Sequence, residues 1–190
     1  MHVHMEPDER ALFTKLLSQA SSYTEFGSGG STVLAASLLS GAVTSVDSSK
    51  EWLARVETAC GQVSVRSPPR FVFADIGPTV EWGQPADDSC RNRWPLYGLS
   101  AWEVDGAENA DMFLVDGRFR VACFLETLLR CREEAKIAIH DYAPRPGYHV
   151  VEPFVDCIAA AGTLSVFRRR PSVDWRGAVR LLDRARYDRG

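Results

Sequence analysis

The residues best suited to chemistry stand at intervals between short apolar runs. Tyr23-Thr24-Glu25-Phe26-Gly27-Ser28-Gly29-Gly30-Ser31-Thr32 is a glycine-rich turn. Glycines let a backbone turn sharply and approach a ligand closely. A helix beginning near Ser31 or Thr32 would aim its first amides at the same place. A dinucleotide fingerprint would need glycines at 27, 29 and 32, and position 32 is threonine. A phosphate loop would need a lysine before the Ser or Thr, and the turn has none. Farther along, Asp47, Asp75, Asp116 and the pair His140-Asp141 each close an apolar run. Carboxylates and an imidazole gathered at one edge are groups that hold hydroxyls and move protons.

These residues need elements to bring them together, and the pattern supplies them. Pro7 to Ala20 reads as a helix, with Pro at the first turn, Asp8 and Glu9 early, and Ala11, Leu12 and Leu16 at helical spacing. Tyr23–Phe26, Ala42–Val46, Phe71–Ala74, Met112–Val115 and Lys136–Ile139 read as short strands. Ser31–Leu39, Ser49–Ala59 and Phe119–Arg132 read as helices between them. Tyr148–Ala161 reads as a further helix, Thr163–Phe167 as a final strand, and Trp175–Arg186 as a closing amphipathic helix. Strands alternating with helices predict an α/β fold, a doubly wound, mostly parallel sheet covered on both faces. In such sheets ligands bind beyond the carboxyl ends of the strands. Four strands end in an acid or an acidic-polar pair and the other in the glycine turn, so one edge collects all of them.

A length of 190 residues fits a single domain. With 45% apolar and 25% charged residues, the chain is not disordered, collagenous or a coiled coil. A net charge of −3 gives no global field toward nucleic acid or membrane. Five cysteines without a CxxC pattern imply free thiols in a reducing compartment. No run reaches the ~18 apolar residues of a membrane span, and the N-terminus lacks the basic and apolar regions of a signal peptide. A cytoplasmic protein is the expectation. The segment 171–190 forms a basic helix, and from 168 onward eight arginines face Asp174, Asp183 and Asp188. It reads as packed on the sheet or on a partner subunit, with a homo-oligomer allowed and nucleic-acid binding disfavoured.

Glu25-Phe26-Gly27-Ser28-Gly29 resembles motif I of the class I S-adenosylmethionine-dependent methyltransferases, nearest to the small-molecule O-methyltransferases. The usual third glycine is Ser31 here, with Gly30 before it. The resemblance runs from about Tyr23 to Phe167 and implies the Rossmann-like methyltransferase fold. It implies that Glu25, Gly27, Ser28, Gly29 and Gly30 surround S-adenosylmethionine. Asp47, with Ser48, falls where the family places an acid on the ribose hydroxyls, and Asp75-Ile76 where it contacts the adenine. Members of the family usually add a seventh, antiparallel strand. Here Thr163–Phe167 runs into Arg-rich sequence, so a reduced or missing C-terminal hairpin is expected.

Asp111-Met112-Phe113-Leu114-Val115-Asp116-Gly117-Arg118 resembles the segment after the fourth strand in those O-methyltransferases, and Ile139-His140-Asp141-Tyr142 their fifth-strand end. By position, the resemblance makes Asp116, His140 and Asp141 the ligands of a possible divalent metal. An imidazole among them suits Mn²⁺ or Zn²⁺ better than Mg²⁺. Without metal, His140 is a candidate general base for an oxygen acceptor, beside Asp116 and Asp141. The segment 77–109 is long and rich in Trp, Pro and Gly, with two readings open for Trp94 and Tyr97: a lid over the acceptor or a packing cluster over the sheet end. Arg118, Tyr142 and Arg145 complete the candidate acceptor contacts, the arginines for an anionic group. The resulting expectation is methyl transfer to a small-molecule acceptor. A non-catalytic methyltransferase-like binding protein is the alternative. A nicotinamide-dependent oxidoreductase is disfavoured by Glu25 and Thr32.

Overall fold

The computed structural model describes residues 1–189. Its elements follow in the order α1 (Pro7–Leu17), β1 (Tyr23–Phe26), α2 (Gly30–Leu38), β2 (Val43–Asp47), α3 (Lys50–Gly61), β3 (Arg70–Phe73), α4 (Leu96–Leu99), β4 (Met112–Val115), α5 (Arg120–Arg130), β5 (Lys136–Ile139), β6 (Val155–Ala161), β7 (Leu164–Arg169) and α6 (Trp175–Ala185). The seven strands form one sheet in the order β3-β2-β1-β4-β5-β7-β6. The first five are parallel, and β7 enters antiparallel against β5 and β6. The order reverses between β1 and β4, the switch point at whose carboxyl ends such sheets form their ligand crevice.

The inner strands are buried because helices cover both faces. Every residue of β1 and of β4 is buried. Tyr23, Met112 and Leu114 pack on one side with Phe13, Leu17 and Ala35, while Phe26, Phe113 and Val115 pack on the other with Phe119, Phe124 and Leu128. At the opposite end, the Asp111 carboxylate accepts the N–H groups of Ser21 and Ser22 at 2.7 and 3.2 Å, fixing the entry of β1 beside β4. The C-terminal α6 lies on α5, with Ala178, Leu182 and Ala185 buried at spacings of four and three residues. Arg186 reaches the buried Glu126 at 3.0 Å, so one arginine of the basic helix serves an internal ion pair.

Two expectations change. The segment read as a helix over Tyr148–Ala161 is a 3-10 stretch, Pro146–Phe154, followed by strand β6. Pro146 and Pro153 deny a continuous helical ladder. Val155–Ala161 is an edge strand with a mixed burial pattern, which disguises its period of two. The C-terminal hairpin is accordingly complete, not reduced: β6 pairs with β7 from Val155↔Arg169 to Ala161↔Leu164. Gly162 takes φ of 53° in its tight turn. The segment 77–109 is packed down as short helical turns, and Trp94, Tyr97 and Ala101 belong to the core. No helix among the described residues is long and apolar enough to cross a membrane.

Candidate functional site

The glycine turn leaves β1 at the point where the sheet order reverses. Gly27 has φ of 102°, a conformation that disfavours other residues. A Cβ there would lie 2.6 Å from the backbone nitrogen of Gly117, which follows β4. The two backbone segments thus cross in contact at the switch point, and Tyr97 Oη closes over Gly117. Gly29 faces open space, with no atom within 4 Å of where a Cβ would stand. Gly30 serves a different purpose: its bare Cα admits the carbonyl of His2, so the N-terminal segment crosses the start of α2 there.

Hydroxyls and acids hold this turn from beneath. Glu25 is fully buried and accepts hydrogen bonds from Tyr23 Oη at 2.8 Å, Ser31 Oγ at 2.7 Å, Ser45 Oγ at 2.8 Å and Thr32 Oγ1. Burial raises its carboxyl to about 7 against the pull of those four donors. The motif I acid is therefore an internal tie between β1, α2 and β2. Ser28 turns its hydroxyl inward to Ser45 at 2.6 Å. Its N–H is donated to Asp47 Oδ2 at 3.1 Å, and its carbonyl accepts Trp52 Nε1 at 2.7 Å.

Asp47 stands at the end of β2, where the ribose acid was expected. Its Oδ1 accepts Ser49 N–H at 3.0 Å. Burial raises its pKa, and the backbone N–H groups and the Arg118 charge oppose that shift. Three backbone N–H groups occupy part of a carboxylate's four lone-pair sites and the residue is partly exposed, so it can still accept a hydroxyl. Ser48 instead donates to Gly83 O at 3.3 Å, tethering the 77–109 segment. Asp75 is exposed, accepts Gly77 N–H and pairs with Arg93 at 3.2 Å, while Ile76 is packed in the core. Ile76 thus lies beneath the sheet edge instead of on an open wall.

Asp116, His140 and Asp141 do come together, with one ligand atom from each within 4.8 Å of the others. Two partners that the sequence reading missed decide what the cluster is. Arg120, 6% exposed at its side chain, bonds Asp116 at 3.2 Å and Asp141 at 3.0 Å. Glu9 of α1 meets His140 Nε2 at 3.1 Å, while Asp116 meets Nδ1 at 3.1 Å. Glu9 is itself fixed by the N–H of Thr163 at 2.6 Å and the N–H of Glu6 at 2.8 Å. Burial works against charge on His140, but the bonds and charges of Asp116, Glu9 and Asp141 raise its pKa to about 9. Burial likewise works against Glu9, and its hydrogen bonds lower it to about 2.

This is an ion-pair cluster already supplied with cations. A divalent metal would be set beside a guanidinium and an imidazolium, and both imidazole nitrogens are already taken by carboxylates. The donor set does not fit the metal that the resemblance implied. Nor does a ring that stays protonated at neutral pH fit the expected general base. Position hinted at Arg120, four residues after Asp116 on the entry to α5. Glu9 gave only the sign of a helix start, because its partners lie 131 and 154 residues away.

The expected acceptor contacts divide. Trp94 and Tyr97 are 2% and 1% exposed and flank the Phe119 ring at 5.6 and 5.9 Å, so they are a packing cluster. Tyr142 stacks on His149 at 4.7 Å and donates to Glu152. Arg145 bonds Tyr148 Oη at 3.3 Å and lies 3.6 Å from Asp141. Phe119 and Asp141, which follow β4 and β5, both hold left-handed φ, at 52° and 55°. Such conformations persist where the surroundings enforce them and gather at functional sites.

No protein-family model matches the chain, and no curated protein matches it. Among solved structures, a methyltransferase-like protein from Silicibacter pomeroyi DSS-3 is 34% identical, with 98% of this chain and 97% of that one covered at a TM-score of 0.87. N-methyltransferase NodS from Bradyrhizobium japonicum WM9 is 14% identical over 89% of this chain and 90% of its own, at a TM-score of 0.52. An RNA methyltransferase from Salinibacter ruber is 12% identical over 90% and 99%, also at 0.52. The two distant matches share the fold. The first covers nearly the whole chain at an identity that shows kinship, and the chain belongs to the methyltransferase-like proteins of the class I, Rossmann-like fold.

Proposed function

We propose that this protein transfers a methyl group from S-adenosylmethionine to a small-molecule acceptor, at oxygen. The observation that carries the reading is the backbone crossing of Gly27 and Gly117 at the switch point, with Asp47 beside it and open space over Gly29. That is the place where an open α/β sheet takes a ligand. NodS and the Salinibacter enzyme were both solved in complex with S-adenosyl-L-homocysteine. The cofactor, when bound, supplies an electrophilic methyl group on a sulfonium. Gly29 would let it approach the backbone, and Asp47 would accept its ribose hydroxyls. Asp116 and Asp141, each with a free lone pair and partial exposure, would orient the acceptor's O–H. The His140 and Arg120 cations keep those carboxylates fixed.

The small-molecule acceptor is favoured over RNA by the charge distribution. Arg170, Arg180, Arg186 and Arg189 of the basic C-terminal segment are paired with Asp156, Asp174, Glu126 and Asp88. That pairing leaves the exposed Arg168, Arg176 and Arg184, three of the eight arginines, as the unpaired cations among the described residues of the segment that a phosphate backbone could meet. A second reading, cofactor binding without turnover, is favoured by Tyr97 Oη over Gly117, which narrows the crevice. Incubation with methyl-labelled S-adenosylmethionine and a panel of phenols, acids and amines separates them. Label transfer to an oxygen supports the first reading; tight binding without transfer supports the second.

A further inference from the structure

Three arginines stand at the carboxyl edge near β4 and β5, and their bonding differs sharply. Arg120 is committed to the protein: Nε donates to Gly117 O at 3.0 Å, and its terminal nitrogens bond Asp116, Asp141 and two backbone carbonyls. Arg145 is divided between Tyr148 and Asp141. Arg118 makes no side-chain hydrogen bond or ion pair among the described residues, and its Nε is shut away from solvent without a partner. A buried donor left without a partner is destabilising, and native proteins keep few of them.

The surroundings of Arg118 place it over the crevice. It follows Gly117 directly, and its charge acts on both Asp47 and Tyr97. The next residue, Phe119, carries the ring on which Trp94 packs, and Trp94 Nε1 is a second buried donor without a partner. Trp94 is 2% exposed. Two orphaned donors therefore belong to the neighbours of Phe119, one in the loop after β4 and one packed on the Phe119 ring. The terminal nitrogens of Arg118, also without a partner among the described residues, match the two oxygens of a carboxylate.

We propose that Arg118 is the carboxylate-recognition residue of this site. The inference rests on the methyltransferase reading and deepens it by naming the ligand chemistry. The carboxylate comes from one of two sources, the amino-acid tail of the cofactor or an acidic acceptor, and the two are separable.

The experiment is calorimetric titration of the intact wild-type chain, Arg118→Gln and Arg118→Lys with S-adenosylhomocysteine and with methylthioadenosine. The second ligand keeps the nucleoside and thioether but lacks the amino acid. Benzoate is then titrated into the free and the S-adenosylhomocysteine-loaded proteins. A loss of at least tenfold in S-adenosylhomocysteine affinity in Arg118→Gln, with methylthioadenosine unchanged, supports the proposal with the cofactor tail as source. Arg118→Lys then falls between, because it keeps the charge and loses the fork. Unchanged nucleoside affinities with benzoate binding lost in Arg118→Gln support it with an acidic acceptor as source. Equal losses for both nucleosides, or no change for any ligand, overturn it. If wild type binds neither nucleoside, the cofactor reading itself fails. Benzoate on the free protein then judges Arg118 alone: loss in Arg118→Gln supports it, and no difference overturns it.

Discussion

His140 is held between Glu9 and Asp116, with 3.1 Å from Nε2 to one carboxylate and 3.1 Å from Nδ1 to the other. The contact joins the first helix to the ends of β4 and β5, and Glu9 carries it on to Thr163 in the β6–β7 turn. One imidazolium therefore ties four parts of the chain at the edge where chemistry would occur.

The pH dependence of this tie has a definite sign. His140 is raised from 6.5 to about 9, so its contribution is complete below pH 6.5 and fades as pH rises through 9. Glu9 is lowered from 4.5 to about 2, so its contribution is present above pH 4.5 and fades as pH falls through 2. Chemical denaturation of wild type and His140→Gln across pH 4 to 10 checks this. The gap between them should be widest between about pH 4.5 and 6.5 and narrow toward pH 9. A gap independent of pH would mean the ring is neutral throughout.

Glu25 behaves in the opposite sense. Its carboxyl is raised from 4.5 to about 7, so the folded state increasingly disfavours the charge that the unfolded chain takes on above pH 4.5. Wild type should lose stability relative to Glu25→Gln as pH rises from 4.5 to 7, then hold level. Thermal unfolding at pH 5, 6, 7 and 8 measures it. A difference that stays constant over this range would remove the buried-acid account.

The two glycines of the turn should separate folding from binding. Gly27→Ala puts a Cβ against Gly117 at a φ of 102° and should cost about 2–4 kcal/mol of stability. Gly29→Ala meets nothing within 4 Å and should change stability by less than about 0.5 kcal/mol. It should still weaken nucleoside binding, because the added methyl enters the space left for the ligand. Equal stability losses for both would contradict this division.

Much of the fold was legible because buried parallel strands are short apolar runs that end at Gly or Asp, as at Phe26-Gly27, Val115-Asp116 and Ile139-His140. The hairpin was hidden because β6 is an edge strand whose alanines and Cys157 lack a clean alternation. The site was legible as positions and not as roles. Asp47 and Asp116 reach the crevice as their places after strands suggested. The use of Glu25 depended on four hydroxyls, at Tyr23, Ser31, Thr32 and Ser45, that converge only in three dimensions. The surroundings of His140 were hidden because Glu9 and Arg120 supply charges that strand-end positions do not reveal.

Divalent metals should have little effect. With Arg120 and His140 already in the carboxylate cluster, Mn²⁺ or Mg²⁺ at millimolar concentration should leave the melting temperature and nucleoside affinity unchanged. A metal-dependent rise in either that disappears in Asp141→Asn would restore the metal site.

Asp47→Ala should weaken S-adenosylhomocysteine by about 1–3 kcal/mol if the carboxylate takes the ribose hydroxyls. Isothermal titration of the variant measures this against wild type, and an unchanged affinity would place the ribose elsewhere.

The most direct test of the central claim is titration of the wild-type protein with S-adenosylhomocysteine. The account predicts one-to-one binding with a dissociation constant on the order of micromolar. No heat and no melting-temperature shift under any condition would contradict it, leaving the methyltransferase-like fold without its cofactor.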